Sequence, residues 1–296
     1  MLLQEKMRQA KLAPAERSVI DYLLLYPDAV KQVTIKQLAD KTYVHPSTFI
    51  RVAKKLGFDG WLDLKSAYLE ELDYINSHFG DIDANLPFSS NDSIMTIAQK
   101  LAKLEQTTIE DSLSLIHHNS LEHAKKLLHE ANTIKIFGSN VNTLISRDFI
   151  LKMRRLKKNV TISNIDGEQA YESVNTDEKT CVILISYTGE NAMILKVAEI
   201  LQTTGAKMIG ITSIGDNKLT EAVDCVLNIT TRERLYSKIA NFTINTSICY
   251  LLDVLYAVVF AENYHHNLDQ LIKIGTRFDT RPTTSAIIAE PKSSCS

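Results

Sequence analysis

Along the first quarter of the chain, apolar residues return every three or four positions, the spacing of helices with one buried face. PAERSVIDYLLLYP begins with Pro14, suited to a first helical turn. TIKQLADKT opens on Thr34 with Gln37 three residues on, the pattern of a reciprocal N-terminal cap. HPSTFIRVAKKLG runs from Pro46 to Gly57, an N-terminal proline and a C-terminal glycine. WLDLKSAYLEELDYIN adds a helix with Trp61, Leu64, Tyr68 and Leu72 on one face. The period is then lost over residues 78–92, HFGDIDANLPFSSND, which read as a linker. Helices resume at about 93–115 and 120–130. Beyond them, short apolar runs (TIKIFG, NVTIS, KTCVILIS, AKMIGIT and DCVLNI) alternate with helical stretches near 142–156, 167–174 and 190–202. Near-continuous apolar strands between helices predict a parallel sheet covered on both faces. Two further helices end near Phe278, and 281–296 has no period, as in a disordered tail. The fold expected is a helical bundle over 1–77, a linker over 78–92 and a doubly wound α/β domain over 93–280.

Composition narrows the classes. The chain has 296 residues, 45% hydrophobic and 23% charged, with a net charge of −2. That is ordinary for a globular protein and carries no global basic field. Residues 34–65 depart from the average, with six basic residues against three acidic. The long apolar stretch Ile239–Ala261 carries Asp253, Asn241 and Asn245, which are costly in hydrocarbon, so it reads as a core or dimer-interface helix. The start, MLLQEKMRQAK, is charged and amphipathic, unlike a secretory leader. Cys181, Cys225, Cys249 and Cys295 form no CxxC pair and read as buried thiols of a reducing cytoplasm. No dinucleotide or phosphate-loop glycine motif occurs, and the pairs His117–His118 and His265–His266 lack ligands at metal spacing, so no cofactor or metal is expected.

Residues 34–56 have the form of a helix-turn-helix. Leu38, Ala39, Val44, Phe49, Val52 and Leu56 fall inward, leaving Ser47, Thr48, Arg51 and Lys55 outward. Short hydroxyls at a helix start approach base edges and phosphates, and Arg51 can read guanine in bidentate fashion. Lys36, Lys54 and Lys65 fit phosphate contacts. His45 sits at the cap position of the second helix, either touching DNA or tolerated there. The same spacing also suits a solvated face of a plain helical bundle. The run TIKQLADKTYVHPSTFIRVAKKLGFDGWLDLK closely resembles the DNA-binding module of RpiR/MurR-type bacterial regulators, with LGFDGW and LDLK matching well. It departs at His45, where serine is usual, and at Ala13, where a hydroxyl residue is usual. The resemblance implies contacts to a double-stranded operator from Thr34, Lys36, His45, Ser47, Thr48, Arg51, Lys54 and Lys55.

The second motif is ISYTGEN at 185–191, where a buried strand opens straight into a helix. Backbone N–H groups at a helix start, the hydroxyls of Ser186 and Thr188, a close approach at Gly189 and the amide of Asn191 are what a phosphate needs. An ordinary strand-to-helix turn capped by hydroxyls has the same composition. The span from about 93 to 278 resembles a SIS domain, the flavodoxin- or Rossmann-like sugar isomerase fold that binds phosphosugars. Ser186 and Thr188 match that family's hydroxyl positions, and FGSNVNT matches at Gly138, with Asn140 and Asn142 in place of glycine and serine. The resemblance implies a sugar-phosphate site of Gly138, Ser139, Asn140, Asn142, Ser186, Tyr187, Thr188, Gly189 and Asn191. Lys238, Glu168 and Glu190 lie in segments that can reach it. Three functions stay open. The first is a DNA-binding regulator, dimeric or tetrameric, tuned by a phosphosugar. The second is a phosphosugar isomerase with a helical accessory domain, and the third is a protein-interaction module fused to a sugar sensor. The module order favours the first.

Overall fold

The computed structural model describes residues 2–31, 33–76, 82–163, 167–285 and 287–290. The N-terminal module is built of α1 (Leu3–Gln9), α2 (Pro14–Leu25), a single 3-10 turn (Pro27–Val30), α3 (Ile35–Thr42), α4 (Pro46–Lys55) and α5 (Trp61–Asn76). Its core is the set of residues that the helical period places inward. Met7, Val19, Ile20, Leu23, Leu38, Phe49, Val52, Leu56 and Leu64 are all buried. Phe49 meets Trp61 edge-on at 4.9 Å. The Tyr68 hydroxyl, inside this core, donates to the Leu23 carbonyl at 2.6 Å, so its polar end is satisfied.

Residues 82–92 carry neither helix nor strand, but they are not solvated along their length. Ala84, Asn85 and Pro87 are buried, and Phe88 packs edge-on against Phe242 of the sheet domain. Residues 78–81, the start of the expected linker, lie outside the described residues. The chain continues through α6 (Ile94–Ser114) and α7 (His118–Glu130) into β1 (Thr133–Gly138), α8 (Val141–Arg155), β2 (Asn159–Ile162) and α9 (Gln169–Val174). Then come β3 (Thr180–Ile185), α10 (Ala192–Thr204), β4 (Lys207–Ser213), α11 (Lys218–Ala222), β5 (Cys225–Ile229), α12 (Phe242–Ala261) and α13 (Tyr264–Phe278).

All four strand pairings are parallel, in the order β2-β1-β3-β4-β5. Side chains alternate across the sheet, so Cys181, Ile183 and Ile185 face the layer of α7, α8 and α12. Val182 and Leu184 face α10 and α11 on the other side. Burial on both faces explains the unbroken apolar run of β3, every residue of which is buried. The order reverses between β1 and β3, and open α/β sheets bind ligands in the crevice beyond the strand ends at such a point.

The helix Phe242–Ala261 is long and apolar enough to cross a membrane by length and composition. In the fold it is a core element, with eight of its residues buried against α6, α7 and α8. Asp253 lies on its outer side, paired with Lys152 at 2.5 Å. The following α13 buries none of its residues and exposes Ile272 and Phe278. Residues 281–285 and 287–290 are exposed and carry no regular structure, and 291–296 lie outside the described residues. The thiols Cys181 and Cys225 are buried, and burial raises their pKa to about 12 and about 11. Cys249, expected inside, is exposed, on the outer side of α12 that also carries Asp253. Cys295 lies outside the described residues.

Candidate functional site

In the helix-turn-helix, α3 begins as its sequence requires. Thr34 Oγ1 accepts from the Gln37 N–H at 3.3 Å, and the Thr34 N–H donates to Gln37 Oε1 at 2.8 Å. The connection to α4 is three residues, Tyr43 to His45. Tyr43 takes a left-handed conformation (φ 55°) that glycine adopts more easily, with its ring 96% exposed. His45 does cap α4. Its Nδ1 accepts from the Ser47 N–H at 3.3 Å and lies 2.9 Å from the Ser47 hydroxyl. A ring nitrogen thus replaces the usual serine oxygen.

Thr48 was expected to point outward and does not. It is 2% exposed, and its hydroxyl accepts from Arg51 Nη2 at 3.2 Å. One turn of helix separates the two, so Thr48 holds the guanidinium from below. Lys55 is half engaged elsewhere, its ammonium 2.6 Å from the buried carboxylate of Glu16 at the start of α2. Glu16 also accepts from the Ala13 N–H at 2.8 Å, which explains how α2 starts without a hydroxyl at Ala13. Lys65, read as a phosphate contact, donates to the Val33 carbonyl at 3.1 Å and braces the entry to α3. Lys36, Ser47, Ile50, Arg51 and Lys54 form the exposed face. Ile50, a β-branched apolar residue, also faces out from α4.

In the sheet domain, the loops after β1 and β3 meet residues from the start of α12 around an open cleft of about 220 Å³. Ser139, Asn140, Val141, Asn142, Ser186, Tyr187, Thr188 and Asn191 line it from one side, and Leu235, Lys238, Asn241 and Ile244 from the other. These loops are some 50 and 100 residues apart in sequence, and the β1–β3 crossover brings them together. Two expected residues do not line the cleft. Gly138 ends β1 and gives its carbonyl to Gln169 Nε2 at 3.0 Å. Gly189 has a left-handed backbone (φ 66°), and a Cβ there would sit 1.9 Å from Asn217 Oδ1. The need for glycine therefore comes from Asn217, the cap of α11, and not from a ligand.

Three helix starts border the cleft, and two are already occupied. Asn191 Oδ1 accepts from the Met193 and Ile194 N–H groups, each at 3.1 Å, leaving its amide nitrogen as the group to offer a ligand. At α12, the buried carboxylate of Glu233 accepts from the Thr243 N–H at 2.5 Å and the Thr243 hydroxyl at 2.8 Å. Glu233 also pairs with Lys238 at 2.9 Å. The start of α8 has no side-chain cap, and Asn140 there has a positive φ of 53°. Lys238 lies 5.7 Å above the Tyr187 ring and is the single charged side chain among the described lining residues. The Tyr187 hydroxyl donates to the Glu233 carbonyl at 2.7 Å, so Tyr187 offers its ring.

Glu190 turns away from the cleft. Its carboxylate accepts from the Lys218 N–H at 3.1 Å and pairs with the Lys218 ammonium at 2.8 Å, which holds its pKa below the usual range. Glu168, His265 and His266 do not line the cleft either. Among the described residues no group of three His, Cys, Asp or Glu could hold a metal ion. A larger cleft of about 480 Å³ opens at the opposite ends of the strands, beside Thr133, Lys135 and Asn175. There the Lys135 ammonium already serves the carbonyls of Glu172 and Asn175.

The helical module and the sheet domain each match a known family. Residues 1–74 match the helix-turn-helix domain of the rpiR family, and residues 127–258 match the SIS domain. The chain thus joins an rpiR-family helix-turn-helix domain to a SIS domain. Relatives match along most of the chain. An uncharacterized HTH-type transcriptional regulator of Caldanaerobacter subterraneus is 23% identical over 86% of this chain and 89% of its own. The uncharacterized HTH-type transcriptional regulator YbbH of Bacillus subtilis is 25% identical over 86% and 88%. Among solved structures, the NanR protein of Vibrio vulnificus, complexed with ManNAc-6P, shares the fold with a TM-score of 0.57. That likeness spans 94% of this chain and all of NanR at 18% identity.

Proposed function

We propose that this chain is an RpiR-family regulator that binds a duplex operator through α3 and α4, and that a phosphorylated sugar in the cleft between the β1 and β3 loops shifts that binding. The observation that carries the effector half is the set of donors around one cleft at the switch point of the sheet. The hydroxyls of Ser139, Ser186 and Thr188, the amides of Asn142 and Asn191 and the ammonium of Lys238 converge there. A phosphate is met by hydroxyls, amide donors and one cation, and a sugar by amides and the Tyr187 ring. NanR's complex with ManNAc-6P supports the same ligand class.

The isomerase reading needs a base in reach of the sugar carbons. The described lining has no carboxylate or imidazole, and Glu190 and Glu233, in the segments beside it, are each paired with a lysine. On the DNA side, Arg51 steered by Thr48 reads a base, while Lys36 and Lys54 neutralise phosphates. A two-fold dimer would read half-sites one helical turn, or a multiple of it, apart.

Titration calorimetry of the full chain with a panel of hexose and N-acetylhexosamine 6-phosphates tests the effector half. One member should bind, and Ser186→Ala with Thr188→Ala should abolish the heat while the far-UV spectrum stays unchanged. Equal binding by the unphosphorylated sugars would defeat the phosphate assignment.

A further inference from the structure

One wall of the cleft is the segment between β5 and α12, which carries Leu235 and Lys238. Its front is held by the cleft itself, since the Glu233 carbonyl accepts from Tyr187 and the Glu233 carboxylate fixes Lys238 and the first turn of α12. Its back is held by two residues from outside both matched domains, Asp111, which pairs with Arg232 at 3.5 Å, and Asn85. Asn85 Oδ1 accepts from the Arg234 N–H at 2.7 Å, and Asn85 Nδ2 donates to the Arg232 carbonyl at 3.4 Å. The Asn85 carbonyl accepts from the Ile239 N–H at 2.9 Å. Three backbone groups of the wall, on either side of Leu235 and Lys238, therefore hang on Asn85, which is 7% exposed. Asp83 orients it, its carboxylate accepting from the Asn85 N–H at 2.8 Å and from Nδ2 at 2.9 Å. These contacts hold the Asp83 pKa below its ordinary value. The wall is tied at its root as well, where Thr230 donates to the buried Asp111 of α6 at 2.6 Å.

We infer that Asn85 is a positioning residue of the effector cleft, and that through it the segment joining the two modules senses whether the cleft is filled. This rests on the phosphosugar reading above. Lys238 is the cation of the cleft, and it pairs with Glu233 at 2.9 Å. An arriving phosphate draws it forward, and the wall between Arg232 and Ile239 is too short to follow without disturbing its bonds to Asn85. A filled cleft and a fixed Asn85 thus favour one arrangement of residues 82–92, which continue from the DNA-binding module. Coupling of this kind is reciprocal, so loosening Asn85 must weaken the effector as surely as the effector tightens Asn85.

The test uses the full chain and N-acetylmannosamine 6-phosphate and glucosamine 6-phosphate as probes, with calorimetry and amide hydrogen exchange. The variants are Asn85→Ala and Asp83→Ala; the second removes an exposed carboxylate, so it preserves folding. In the unaltered protein, the bound probe should slow exchange at residues 82–90 and at 232–239 as well as at 186–191. In both variants the probe should bind about fivefold more weakly, the effect of losing one or two such hydrogen bonds, and protection at 82–90 should disappear while that at 186–191 remains. Variants that bind like the unaltered protein and keep protection at 82–90 would overturn the inference alone. So would an unaltered protein that binds a probe but shows protection confined to 186–191. An unaltered protein that binds neither probe would overturn the inference and count against the phosphosugar reading as well.

Discussion

Helix α4 and the cleft of the sheet domain are built from the same stock of hydroxyls, amides and lysines, yet they use them differently. On α4, polar residues near the DNA face are set by their own helix or the one beside it. His45 takes Ser47 and Thr48 takes Arg51, while Lys55 alone reaches back 39 residues, to Glu16. Around the cleft, polar residues are set by partners far away in sequence. Gly189 answers to Asn217, Tyr187 to Glu233, and the wall carrying Lys238 to Asn85. A local device tolerates substitution at one point. A convergent one fails when any of its distant anchors is removed.

That contrast is sharpest at Glu233. Removing it by Glu233→Ala leaves Lys238 without its partner and strips the first turn of α12 of its acceptor. Loss of one member of a buried ion pair costs about 3 kcal/mol. Calorimetric melting should show the sheet domain unfolding much earlier, with the helical module little changed. An equal shift of both would mean that the modules melt as one unit.

On the reader side, Arg51→Ala should cost about 1–3 kcal/mol of discrimination against a wrong base. Thr48→Val should give part of that loss with the charge intact, because only the steering is gone. Lys54→Ala should instead weaken all duplexes alike and lower the salt slope by about one. Fluorescence anisotropy on selected operator and scrambled duplexes separates these outcomes.

Gly189→Ala should destabilise the sheet domain by roughly 2 kcal/mol, since the new Cβ has both a strained φ and a collision with Asn217. Gly189→Ala combined with Asn217→Ala should recover the collision part but not the strain, in urea unfolding. The smallest effect concerns pH. The Lys55 ammonium and the Ala13 N–H hold the Glu16 carboxyl below its ordinary 4.5. Its contribution to stability is therefore complete above that pH and is lost as the pH falls through the lowered value. Glu16→Gln should flatten the acid limb of the helical module's stability curve.

Much of this fold was legible in the chain. The strands from Thr133 and Thr180 begin where their apolar runs begin, and Thr34 caps α3 as its spacing with Gln37 required. The misses have physical reasons. Helix α10 starts at Ala192 and not at Glu190, because Asn191 bends out of the helix to cap it. The five-residue α11 is too short to show a helical period, and its one signal in the sequence is the capping pattern of Asn217 with Thr220. Thr48 looks polar and near the surface, but helical geometry puts it under Arg51. Ser186 and Thr188 were readable from a strand running into a helix. Lys238 could be placed within reach of the site, but its pairing with Glu233 and the buried seat of Asn85 could not, because both depend on how the β5–α12 segment folds back over the sheet.

The central claim is that the cleft and the reader helix share one equilibrium. The direct measurement is the affinity of the tightest-binding sugar phosphate for the free protein and for the protein bound to its operator duplex. The account predicts two different affinities, whose ratio equals the change in operator affinity produced by saturating sugar phosphate. Identical affinities in the two states would contradict it, however tightly that ligand binds.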